Sequence, residues 1–185
     1  RQPITGVSMF PNANEQPLEV RPRPAAPSYG GLKPRRDSEV FEALRDRVNA
    51  AAEKPKVFMA CLGARRDFGP REQFTSNVLL VAGFDHPSSE GGSPDEIVQQ
   101  VEAAGANVVV LCSSAKVYAA QAIEVAKALK AAGVGTVLIA GRRTETGSDE
   151  AAGLIDAEIF DGMDVAGFLS GILDQLGLAQ AGAQQ

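Results

Sequence analysis

The chain has 185 residues with 44% hydrophobic and 22% charged side chains, the balance of a soluble globular domain with a sizeable core. Its net charge of −5 provides no basic field for nucleic acid, and the absence of Trp leaves few stacking platforms for single strands. No apolar run approaches the roughly 20 residues of a membrane span, no signal peptide is visible, and Cys61 and Cys112 sit in apolar runs that suit a reduced, cytoplasmic protein.

In chain order, residues 1–12 include a β-prone stretch, Ile4 to Phe10, read as the remnant of a preceding domain. The chain starts at Arg1 rather than Met, and we expect it to be the C-terminal part of a longer protein. Residues 13–36 read as a Pro-rich linker, in which Pro17, Pro22, Pro24, Pro27 and Pro34 favour extended backbone. The spacing of Val40, Phe41, Leu44 and Val48 predicts a linking helix within 37–54, ended by Pro55. An α/β domain is expected over 55–179, and 180–185 as a tail.

Within that domain, strands are expected at 56–62, 82–86, 107–112, 135–140 and 157–160. Helices are expected near 71–82, 94–104, 116–131 and 148–154, and after Asp164. The start at Ser93-Pro94-Asp95-Glu96 is well marked: Ser caps, Pro suits the first helical position and Glu completes a capping box. Five strands alternating with helices argue for a doubly wound parallel sheet, flavodoxin-like in order 2-1-3-4-5. Ligands of such sheets sit beyond the carboxyl ends of the strands. The loops there are expected at 63–71, 86–93, 113–117 and 141–148.

Those loops lack the familiar signatures. Gly63 and Gly69 do not make a dinucleotide loop, no P-loop is present, and Cys112-Ser113-Ser114 stands where a receiver domain keeps its phosphoacceptor Asp. One histidine, His86, reads as a turn residue, so no metal site is expected. Asp67 reads as a loop carboxylate paired with neighbouring arginines. Arg65, Arg66 and Arg71 present guanidinium forks suited to an anion or to the acidic residues of a partner.

The arrangement over 56–177 resembles the cobalamin-binding domain of adenosylcobalamin-dependent acyl-CoA mutases. That family carries Asp-x-His-x-x-Gly after the first strand, Ser-x-Leu after the third and Gly-Gly after the fourth. The corresponding positions here are Arg66-x-Phe68-x-x-Arg71, or one residue earlier Arg65-x-Asp67-x-x-Pro70, then Ser113-Ser114-Ala115 and Ala140-Gly141. Every ligand motif is altered, and the axial His is missing. Ile4-Thr-Gly-Val-Ser-Met-Phe-Pro-Asn12, Phe58-Met-Ala-Cys-Leu-Gly-Ala-Arg-Arg-Asp-Phe-Gly69 and Val109-Val-Leu-Cys-Ser-Ser-Ala-Lys116 resemble the small subunits of heterodimeric methylmalonyl-CoA mutases. The resemblance implies a non-catalytic subunit with no catalytic residue of its own. It implies a large catalytic partner that binds adenosylcobalamin and interconverts methylmalonyl-CoA and succinyl-CoA. It further implies that Arg66, Phe68, Arg71, Ser113, Ala115, Ala140 and Gly141 mark a degenerate pocket without cobalamin. Two alternatives stay open: an α/β domain that binds phosphate or a coenzyme A-type anion through the Arg-rich segment, and a functional cobalamin carrier, either with no protein base on cobalt or with His86 supplying it.

Overall fold

The computed structural model describes residues 37–178. The expected remnant of a preceding domain at 1–12, the linker at 13–36 and the tail at 180–185 lie outside these residues. Four apolar runs form β1 (Val57–Cys61), β2 (Val108–Cys112), β3 (Thr136–Ala140) and β4 (Ala157–Ile159). They pair in parallel in the order β1-β2-β3-β4. Every residue of β1, β2 and β3 is buried, as expected of strands covered on both faces.

Side-chain alternation divides the core in two. Val57, Met59, Cys61, Val108, Val110, Cys112, Leu138 and Ala140 face one layer of helices: α1 (Glu39–Asn49), α2 (Arg65–Ala82) and α7 (Val165–Gln175). Phe58, Ala60, Leu62, Val109, Leu111, Val137 and Ile139 face the other. That layer holds α3 (Pro94–Ala104), α4 (Ala115–Val117), α5 (Ile123–Ala131) and α6 (Ala151–Leu154). The result is a parallel α/β sandwich, a four-stranded sheet flanked by helices on both faces, consistent with the expected flavodoxin-like fold.

Three elements differ from expectation. The strand expected at 82–86 does not form, because α2 runs to Ala82 and ends at Gly83, whose φ of 85° only glycine adopts readily. The following segment lies against the edge of β1 through two isolated parallel bridges, Lys56 with Asp85 and Met59 with Ser88, and through Ser89, whose Oγ accepts the Cys61 N–H at 2.8 Å. The helix expected from 71 begins at Arg65. The loop expected at 63–71 is thus helical from Arg65, and Pro70 falls within the first turns of α2, where its missing N–H costs one intrahelical bond. The helix near 116–131 is divided by a π-helical turn, Tyr118–Ala122, between α4 and α5.

Helix α1 follows its predicted stripe only in part: Leu44 and Val48 are buried, whereas Val40 and Phe41 are exposed. Arg47 is buried with them. It donates to the Leu178 carbonyl and to Ser170 Oγ (2.9 Å) and pairs with Asp174, fastening α1 to the end of α7. At the start of α3, the Ser93 N–H donates to Glu96 Oε2 (2.8 Å) and the Glu96 N–H to Ser93 Oγ (3.4 Å), the reciprocal box read from the sequence.

Candidate functional site at the carboxyl ends of the strands

Helix α2 sets the geometry of the crevice beyond β1. Ala64 is extended, and Asp67 reaches back so that its Oδ2 accepts the Ala64 N–H at 3.1 Å. Asp67 is therefore a helix-capping carboxylate rather than an arginine partner. Because residues 65–71 are helical, the three arginines point to different places. Arg65 is exposed between Glu90 (3.4 Å) and Glu72 (3.8 Å). Arg66 is exposed and has no ion-pair partner among the described residues. Arg71, one and a half turns on, swings under the crevice. Phe68 is fully buried in the core beneath α2.

Arg71 is the centre of a closed network. Its Nη1 donates to the Ala140 carbonyl (2.8 Å), its Nη2 to Glu145 Oε2 (2.6 Å), and its guanidinium lies 5.1 Å from the centre of the Tyr118 ring. Burial works against the Arg71 charge, but the bonds to Glu145 and Tyr118 outweigh it and raise its pKa. Glu145 is held in turn by the Arg142 N–H, which donates to Oε1 at 2.8 Å.

Tyr118 completes the network from the π-helical turn. Its hydroxyl accepts the Ser113 N–H (2.8 Å) and lies within donating distance of the carbonyls of Leu111 (2.8 Å) and Ala140 (2.9 Å). Burial, followed by the neighbouring Cys112, raises its pKa, so the phenol stays a donor. Ser113 is buried and donates from Oγ to the Leu62 carbonyl at 2.7 Å. The ends of β1, β2 and β3 are thus joined by Ser113, Tyr118 and Arg71.

Gly141, at φ 134°, lies against this network. A Cβ there would come within 2.3 Å of Arg71 Nη1 and 2.5 Å of Glu145 Oε1. The space that glycine leaves is taken by the chain's own ion pair. Of the positions singled out in the sequence, Arg71, Ser113, Ala140 and Gly141 meet here. Phe68 lies in the core below, while Arg66 and Ala115 are exposed. Tyr118 and Glu145 were missed: Tyr118 fits an apolar helical stripe, and Glu145 lies in no motif.

A surface cavity of about 270 Å³ opens directly on the network and is lined by Arg71, Gly141 and Glu145 on one side and by Phe74, Arg142 and Phe160 on the other. The Arg142 guanidinium stacks on Phe160 and pairs with Glu158 (3.1 Å). Burial would raise the Glu158 pKa, but the Arg143 N–H (2.8 Å) and Arg142 hold it below the usual range. His86 is held structurally. Its Nδ1 lies 3.2 Å from the Phe84 carbonyl, and its Nε2 lies 2.9 Å from Ser76 Oγ. With Nδ1 donating to the carbonyl, Nε2 accepts from the serine. Among the described residues, no group of three or more His, Cys, Asp or Glu residues is placed to hold a metal.

The sequence of the chain is similar to that of named proteins. The chain is 54% identical over 182 residues to the methylmalonyl-CoA mutase small subunit of Propionibacterium freudenreichii subsp. shermanii, covering 97% of this chain. This chain is a homologue of methylmalonyl-CoA mutase small subunits. The corresponding protein of Streptomyces virginiae is 42% identical over 185 residues, and a probable small subunit of Mycobacterium bovis is 30% identical. The chain spans 28–29% of the length of these relatives. No family model matches it. The named relatives agree with the resemblance carried by Phe58–Gly69 and Val109–Lys116.

Proposed function

We propose that this chain is a non-catalytic, structural part of an adenosylcobalamin-dependent methylmalonyl-CoA mutase, with residues 55–179 as a cobalamin-domain-like unit that does not itself bind cobalamin. Its partner is the large catalytic subunit, which holds the cofactor and interconverts methylmalonyl-CoA and succinyl-CoA. The names of the relatives support the assignment to the mutase. The observation that supports the structural role is the network across the strand ends, where Arg71, Glu145 and Tyr118 fill the space beside Gly141.

The donor set does not fit the cofactor. The place of an axial imidazole is taken by Phe68, which is buried, or in the other register by Asp67, which caps α2. The one histidine of the chain is committed to Ser76 and the Phe84 carbonyl. A ligating imidazole needs its second nitrogen oriented by a partner and its first free for the metal, and His86 has no such free nitrogen. The anion-binding alternative has less to draw on, since Arg71 is paired with Glu145 and Arg65 with Glu72 and Glu90.

The test is a titration of the purified chain with hydroxocobalamin and adenosylcobalamin, read by absorbance and equilibrium dialysis. The expected result is equal cofactor concentration on both sides of the membrane. Retention of cofactor, with a spectrum reporting histidine on cobalt, would overturn the reading.

A further inference from the structure

The cavity of about 270 Å³ that opens on the strand-end network has a lining of mixed character. Ala140 and Ile159, each 1% exposed, contribute to it from the ends of β3 and β4. Two aromatic rings from different elements border it, Phe74 of α2 and Phe160 just after β4, and both are only half-buried. It lies beyond the carboxyl ends of the strands, where parallel α/β sheets hold their ligands.

The polar groups along this lining are already used. Glu145 accepts from Arg71 through one carboxylate oxygen and from the Arg142 N–H through the other. The Ala140 carbonyl takes Arg71 Nη1, the Gly141 N–H donates to the Ile159 carbonyl at 2.7 Å, and Arg142 pairs with Glu158. A charged ligand would therefore lose its hydration without gaining a free counter-charge, which is costly. Asp161 is the exception: it is exposed on the same lining and has no ion-pair partner among the described residues. Its carboxylate repels an anion and accepts a hydrogen bond from a neutral donor.

Shape and volume narrow the class further. The Arg142 guanidinium lies over Phe160, 3.3 Å from the ring centre, and makes that side of the cavity flat. An aromatic guest packs offset or edge-on against such rings. The volume exceeds the roughly 150 Å³ of a cavity that holds benzene. It falls short of the roughly 300 Å³ at which pockets for drug-sized ligands begin. One ring with one or two small substituents fits between these limits.

We infer that this cavity is a ligand site for a small, uncharged, single-ring aromatic molecule bearing a hydroxyl group. Its ring packs against Phe74 and Phe160, and its hydroxyl donates to Asp161. The site is built by this chain alone, and the inference stands apart from whether the chain holds cobalamin.

The test is a titration of the 185-residue chain with para-fluorophenol, read by the shift and broadening of the fluorine NMR line. Para-fluorobenzoate presents the same ring with a negative charge. Saturable binding of the phenol is expected, with the benzoate at least about tenfold weaker because its charge finds no partner. Methyl NMR of the unaltered chain locates the guest. The Ala140 and Ile159 methyls should shift with occupancy, and those of Ala43 and Ala166, in the groove between α1 and α7, should not. Phe160→Ala is expected to weaken binding at least about tenfold by removing one aromatic wall. No saturation up to the solubility limit of the phenol would overturn the inference. So would equal affinity for the benzoate, or shifts confined to Ala43 and Ala166. If circular dichroism shows that Phe160→Ala does not fold, the methyl shifts of the unaltered chain decide.

Discussion

At the level of single residues, the contact between Gly141 and Arg71 carries the most information. Ala140-Gly141 stands where the related mutase domains carry two glycines, and a glycine there alone would suggest room for a ligand. The guanidinium of Arg71 and the carboxylate of Glu145 occupy that room instead. The energetic expectation is specific. Gly141→Ala meets a positive φ, the Arg71 Nη1 atom and Glu145 Oε1, whereas an Arg71→Met background removes the guanidinium contact and frees the Glu145 carboxylate from its ion pair. In chemical denaturation, the alanine should therefore cost about 1 kcal/mol less in the Arg71→Met background than in the wild type. Additive costs would mean that Arg71 and Gly141 do not compete for the same space. Arg71→Met alone should cost about 2 kcal/mol, since the Glu145 carboxylate and the Ala140 carbonyl lose a charged donor. Motif spacing singles out Arg71 but does not give its direction. The segment 63–71 is expected as a loop, and the helical start at Arg65, with Asp67 as its cap, turns Arg71 inward.

At the level of elements, the π-helical turn at Tyr118–Ala122 shows what periodicity cannot reveal. Tyr118, Ala122, Val125 and Leu129 form one buried stripe, as a helix near 116–131 requires, and all four are buried. The pattern is the same whether the turn is α or π. What distinguishes it is the Tyr118 hydroxyl, placed between the ends of β2 and β3, where it serves the Ser113 N–H and the carbonyls of Leu111 and Ala140. Tyr118→Phe keeps the ring but leaves the buried Ser113 N–H without its acceptor, at a cost of about 1–3 kcal/mol. Hydrogen exchange at the Ser113 amide should rise by more than exchange at mid-strand positions such as Val110. Uniform acceleration along β2 would indicate global destabilisation instead of loss of this tie. The missing strand at 82–86 has a similar cause. The run of apolar residues through Val81 to Phe84 reads equally as strand or as the end of a helix, and Gly83 decides for the helix by accepting a left-handed C-terminal conformation.

At the level of the whole molecule, the layered arrangement was legible because β1, β2 and β3 are continuous apolar runs, which only a sheet covered on both faces accommodates. What runs of this kind do not specify is how helices are shared between the faces, since α1 and α7 join α2 through contacts as remote as Arg47 with Ser170. Burial of this sheet has a consequence for stability against alkali. Cys61 and Cys112 are register partners on β1 and β2, buried on the same face, and Tyr118 lies at the end of β2 on the other. Desolvation raises all three pKa values; for Cys112 the rise is from 9.0 to about 12. The unfolded thiols and phenol ionise first, so the folded state keeps its full stability only below the ordinary thiol value of 9.0. As pH rises above that value, stability falls by about 1.4 kcal/mol per pH unit for each group titrating in the unfolded chain alone. Denaturation midpoints should therefore drop steeply between about pH 9 and 11, while neither thiol reacts with a maleimide in the folded chain. Cys112→Ala removes one of these groups. Its stability at pH 8 should be slightly lower from the lost sulfur contacts, yet its decline with pH should be shallower by about 1.4 kcal/mol per unit. A decline unchanged by Cys112→Ala would show that this thiol is not protected by the sheet, and would place the alkaline loss on other groups.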